Sequence, residues 1–246
     1  MAKLFNNIRK KLVADKPSTT RTVNYLKYAI GEIVLVVFGI LIALSINNWN
    51  EHKKENNQIT KILTEVRNNL VTDSIVITRV YKQNFEDVNI QKKLIKRLDD
   101  KQPLDSSINK SLGHVMLRRN SILVSNGYDL LKKIGVEKIE DLKLRHALII
   151  YYEYTVTSIY SETNDDDGEF NNVLLPYVRH NFADWSFGEY GIPNDYVKLE
   201  NDSFFKTALK INLENRISTT NVLKRGLNNL AKLKLLLDKH LKILKN

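Results

Sequence analysis

The sequence predicts an all-α protein: an N-terminal transmembrane helix that continues into an extracytoplasmic antiparallel helical bundle. Three observations carry this. Residues 28–46, YAIGEIVLVVFGILIALSI, hold a single charge. Residues 40–102 contain neither Gly nor Pro, and residues 202–244 contain one Gly and no Pro. Apolar side chains recur at threes and fours through these stretches, and no segment sustains the period-two alternation of a half-buried strand.

The first element is the apolar one. Nineteen residues at helical rise span roughly 28 Å, close to the hydrocarbon thickness of a bilayer. Tyr28 at its start and Trp49 just beyond its end have the chemistry of interfacial anchors. The net charge of +10 points first to acidic partners such as nucleic acid. Along the chain it resolves into +6 over residues 1–27, −1 over 28–46 and +5 over 47–246. The positive-inside bias therefore predicts a basic cytoplasmic tail (1–27), a membrane span (28–46) and an exported domain (47–246). That orientation keeps the domain away from nucleic acid. A cleaved signal peptide is the rival reading, with Ala43-Leu44-Ser45 as a small-x-small site. The basic region is long for that, and the apolar stretch exceeds the usual length. Within the tail, Leu4, Phe5, Ile8 and Leu12 share one helical face, which fits a short helix lying on anionic lipid as well as a plain solvated tail.

The segment YLKYAIGEIVLVVFGILIALSINNWN (residues 25–50) carries a resemblance. Lys27-Tyr28-Ala29-Ile30-Gly31-Glu32-Ile33 and Asn47-Asn48-Trp49-Asn50-Glu51 resemble the N-terminal signature of an uncharacterised membrane-protein family of Bacteroidota, catalogued as a domain of unknown function. Ser45 stands where that family often has Gln. The resemblance implies a Gram-negative inner membrane and a periplasmic domain. It implies no activity, so no residue inherits a role from it.

Inside the span, Glu32, Val36, Gly39 and Ala43 fall on one stripe. Gly39-xxx-Ala43 is the small-xxx-small pattern that lets a second helix approach, and a carboxyl on that stripe can bond across it. A homo-oligomer or a membrane-protein partner is expected there, with lipid around the rest. Glu32 lies about 6 Å from the cytoplasmic end at helical rise, within snorkelling distance of the headgroups.

Beyond the membrane, Ile59, Ile62, Leu63, Val66 and Leu70 extend the helix. Thr72-Asp73-Ser74 is a candidate break before Val80, Val88, Leu94, Ile95 and Leu98. Pro103 closes the unit, and Asp105 or Ser106 can cap a helix over about 106–119. Asn126-Gly127 and Gly135 bracket a short helix near 128–134. Residues 140–161 form the next one, with Leu144, Leu148, Tyr151, Tyr152, Thr155 and Ile159 on one side. The acidic run that follows reads as a loop, 169–182 as a helix limited by Pro176, and 183–199 as an irregular loop with Gly188, Gly191 and Pro193. Leu223, Leu227, Leu230, Leu233, Leu237, Leu241 and Leu244 make the last helix strongly amphipathic, and the first and last long helices should pack together.

No catalytic chemistry is legible. The chain has no Cys, its five His show no HxxxH or HExxH spacing, and it lacks GxSxG, P-loop and GxGxxG motifs. Asp165-Asp166-Asp167-Gly168-Glu169 fails the EF-hand register, since Leu174 would fall at the bidentate position. No enzyme, cofactor or metal is expected. Trp185, Phe187 and Tyr190 crowd the irregular loop. Core packing is the commoner cause of such crowding, and a partner or ligand surface is the sharper one. The expected function is protein interaction, as a scaffold or assembly subunit. The alternative is a sensory or ligand-binding module acting through a membrane partner, since the tail holds no effector domain.

Overall fold

A computed structural model describes residues 18–115 and 117–245. The basic tail through residue 17, with Leu4, Phe5, Ile8 and Leu12, lies outside the described residues. The described chain is helical apart from one hairpin and its connections. Helix α1 runs Ser18–Asp99 and contributes to two units, Met1–Gln58 and Ile59–Asn246.

In the first unit none of the described side chains is buried. Ile33, Leu35, Phe38, Ile42 and Ile46 are all more than half exposed, although they point in different directions around the helix. The apolar window of α1 has a mean hydropathy of 2.7, and this is the one described helix long and apolar enough to cross a membrane.

The second unit begins at Ile59. A short 3-10 turn (Ser106–Ile108) leads into α2 (Asn109–Val115), followed by α3 (Asn126–Ile134) and a second 3-10 turn (Val136–Lys138). Next come α4 (Leu142–Ile149), α5 (Val156–Glu169) and α6 (Leu175–Asn181), joined by wide π turns at Ile150–Thr155 and Phe170–Leu174. Strands β1 (Phe182–Ser186) and β2 (Tyr190–Pro193) pair antiparallel, and α7 (Tyr196–Asn201) and α8 (Ser203–Lys245) complete the chain.

Two apolar clusters hold the unit. In one, Leu63, Val66, Leu70 and Ile77 of α1 meet Leu144, Leu148, Tyr151 and Ile159, together with Leu230, Leu233 and Leu237 of α8. In the other, Leu94 and Leu98 meet Leu112, Val115, Phe170, Leu174, Phe205 and Leu209. Arg67 bonds Asp238, while Lys210 reaches Asp99 at 3.0 Å, so early α1 meets late α8 and late α1 meets early α8. Asp105 caps the turn that leads into α2, accepting from the Ser107 amide at 2.9 Å.

The structure differs from several expectations. Thr72-Asp73-Ser74 does not break α1. Asp73 is buried within the helix, where it accepts from the Val124 amide at 2.8 Å and from the Tyr151 hydroxyl at 2.9 Å. Its propensity for breaks is overridden by two distant donors. The acidic run is not a loop but the end of α5, because Asp166 accepts from Thr219 at 2.8 Å and Asp167 pairs with Arg118 at 3.3 Å. The helix expected over 106–119 is shorter, ending at Val115. Residues 183–199 are not irregular. They form most of the hairpin, turned at Gly188 with φ 76, and then α7, whose cap Asp195 accepts from Val197 and Lys198. Strands of four and five residues are too short for their alternation to stand out. Leu244 is 39% exposed, so the leucine stripe ends at Leu241.

Candidate functional site

Three places hold candidate chemistry. The first is the stripe of Glu32, Val36, Gly39 and Ala43. All four side chains are exposed, and a Cβ built on Gly39 meets nothing within 4 Å. Tyr28 is half-buried. Trp49 is 64% exposed, with the Lys53 ammonium 5.2 Å from its ring centre.

The second is the hairpin, where the structure does bring Trp185, Phe187 and Tyr190 together. Trp185 is half-buried, with its ring 4.3 Å from Phe187 and 6.3 Å from Phe170. Phe187 lies 5.8 Å from Phe170 and is 57% exposed, so one protruding ring rests on two supporting ones. Tyr190 donates its hydroxyl to Asp184 at 2.8 Å. Helix α2 fixes the hairpin. The Gly188 amide donates to the Gly113 carbonyl at 3.1 Å, and a Cβ on Gly113 would stand 2.5 Å from the Tyr190 nitrogen. Only glycine allows that approach.

The third site was not anticipated. Asp87, almost fully buried, accepts from Arg119 Nε at 2.9 Å and Nη2 at 3.3 Å. Its carboxylate also lies 3.5 Å from Arg216 Nη1 and 3.4 Å from His114 Nδ1. Arg216, equally buried, donates to Asn212 Oδ1 at 3.0 Å and to the carbonyls of Val115 and Leu117. Gln91 donates to the Leu209 carbonyl at 2.7 Å and to Asn212 at 3.1 Å. Buried charges persist when paired and hydrogen-bonded in this way. A signal for this cluster was present in the sequence. The apolar stripe of α1 turns polar at Asn84, Asp87 and Gln91, and that of α8 turns polar at Asn212, Arg216 and Thr219. Polar residues on a buried face require partners.

Asp166 borders this cluster. Burial pushes its carboxyl from the ordinary 3.8 up to about 6; the Thr219 hydroxyl and the Arg216 guanidinium pull it down, while Glu162 and Asp167 push it further up. Arg118, Arg119 and Arg216 line the same small cavity as Asp166. The native chain thus holds this proton more tightly than the unfolded chain does. The group's contribution to stability is complete below about pH 3.8 and is lost as pH rises through about 6. Asp166→Asn, fixed neutral, is expected to gain stability over the parent across that window. Denaturation of both full-length chains in detergent at a series of pH values checks this, and stability curves that stay parallel would contradict it.

Among the described residues, no group of three or more His, Cys, Asp or Glu side chains is placed to hold a metal ion. A helical chain with one helix apolar enough to cross a membrane, and a second unit built around a buried ion cluster, defines the class of protein. Residues 32–173 match the Family of unknown function (DUF6090), and the chain belongs to that family. The matched stretch includes most of the apolar helix segment together with Asp87, His114, Arg119 and Asp166, and it stops before the hairpin and α8. No curated protein and no solved structure matches the chain.

Proposed function

We propose that this is a single-pass protein of a bacterial inner membrane that acts by binding another protein. Its N-terminus would face the cytoplasm, and its second unit, an antiparallel helical bundle, the periplasm. The observation that carries the reading is the exposure of apolar side chains on every side of α1 through residues 30–46. At about 25 cal/mol per Å² such a surface is strongly unfavourable in water, and lipid removes the cost. The basic residues before the span and their scarcity after it support the orientation. A C-terminal alkaline phosphatase fusion is the test. Activity is expected, and a fusion that is inactive while a C-terminal fluorescent protein lights up would reverse the topology.

Two contact surfaces belong to this reading. On the membrane helix, the open Gly39 stripe admits a second copy. Gly39→Ile is expected to lower self-association in a bacterial two-hybrid membrane assay at unchanged expression, and an unchanged signal removes the homo-oligomer. In the second unit, Phe187 over Trp185 and Phe170 supplies an aromatic anchor of the kind that dominates protein interfaces. A photo-crosslinking residue in place of Phe187 is expected to yield one discrete protein adduct in native membranes. Labelling that is diffuse or absent would remove the hairpin from the interface.

A further inference from the structure

The buried ion cluster encloses a cavity of about 10 Å³, bordered by Asn84, Leu117, Arg118, Arg119, Asp166, Phe170, Leu174, Asn212 and Arg216. Three of these residues bring buried side-chain atoms that make no hydrogen bond: Asn84 Nδ2, Asp166 Oδ1, and Arg216 Nη1, whose contact with the Asp87 carboxylate is a 3.5 Å ion pair that leaves an N–H free to donate elsewhere. Asn84 is 2% exposed and Arg216 4%. Leaving such groups unpaired costs about 1–3 kcal/mol each, more where the group is charged.

We propose that this cavity is an internal hydration site for a single water molecule, which accepts from Asn84 Nδ2 and Arg216 Nη1 and donates to Asp166 Oδ1. The space admits about one water molecule. The chemistry narrows the occupant further. With Asp166 ionised, two donors and one acceptor need a ligand that accepts twice and donates once, and three polar partners are typical of a buried water. A halide cannot donate to Asp166, and a metal cation or an ammonium cannot accept from Asn84 or Arg216. Charge leads to the same conclusion. Arg119 and Arg216 share Asp87, and Arg118 pairs with Asp167, so the arginines already have carboxylate partners without an added anion. The water joins α1, α5 and α8 through one molecule and links the acid-sensitive Asp166 to the Asp87–Arg216 pair.

The test is a crystal structure of the full chain in detergent, at a resolution that shows ordered water, with a parallel crystal grown in bromide. One peak within hydrogen-bond distance of all three atoms, and no anomalous bromide signal there, is the expected result. A bromide peak would make the cavity an anion site and overturn the proposal. So would an empty cavity, or side chains turned to pair these atoms directly with one another.

Discussion

Replacing Asp87 with Ala is expected to destabilise the second unit by about 3–5 kcal/mol, because it leaves Arg216 as a buried cation, and the half-buried Arg119 beside it, without their shared carboxylate. Arg216 is 4% exposed, its remaining hydrogen-bond partners are the neutral oxygens of two carbonyls and the Asn212 amide, and the other carboxyl acting on it is that of Asp166, itself held partly protonated by burial. A loss of that size is a large share of a domain's total stability, so a partly unfolded population should already be visible without denaturant. The reciprocal change separates charge from packing. Arg216→Met alone leaves two carbonyls without a donor, whereas the pair Asp87→Leu with Arg216→Met removes both charges. The double variant is expected to lose less than the sum of the singles. Denaturation of the full chain in detergent, followed by far-ultraviolet circular dichroism, measures all three. A single Asp87→Ala variant as stable as the parent would mean that the cluster is solvated and not buried.

Gly113→Val is expected to cost about 1–3 kcal/mol and to detach the hairpin while the long helices remain. The added Cβ would stand 2.5 Å from the Tyr190 nitrogen and 2.7 Å from its Cα, and both are backbone atoms that no rotamer change can move away. The hairpin must therefore shift as a body. The shift breaks the Gly188–Gly113 hydrogen bond and carries Trp185 and Phe187 off Phe170. The expected signature is loss of Trp185 near-ultraviolet dichroism and red-shifted tryptophan emission, with helical content almost unchanged. Trp49 is exposed and contributes a constant background, which a Trp49→Phe parent removes. Unchanged Trp185 spectra in the variant would mean that α2 does not hold the hairpin.

These two sites mark where sequence reasoning stops. The helical elements were legible because their information is local. Ile59, Ile62, Leu63, Val66 and Leu70 line one face by spacing alone, and all five are buried. The leucine stripe of α8 reads equally well through Leu241. Asp87 shows in the sequence only as a polar break in the apolar stripe of α1; its pairing was not legible, because Arg119 and Arg216 lie far along the chain from it. The acidic run of α5 was misread for the same reason. Its charge density and its glycine favour a loop, and only Thr219 and Arg118, brought in by the fold, make a helix the better state. The hairpin is an intermediate case. Gly188, Gly191 and Pro193 signalled an irregular loop, and pairing of strands this short depends on the α2 surface beneath them.

By itself, the sequence determined that this chain is helical, that one segment is apolar enough to span a bilayer, and which faces of the long helices turn inward. The tertiary structure alone decided that Asp87, Arg119 and Arg216 share one buried site, that Asp166 sits beside it, and that Gly113 seats the aromatic hairpin. The physical reason is range. Apolar periodicity is repeated every turn along a single helix, so a short window of sequence is enough to reveal it. The partner of a buried charge appears only once distant segments have been folded together.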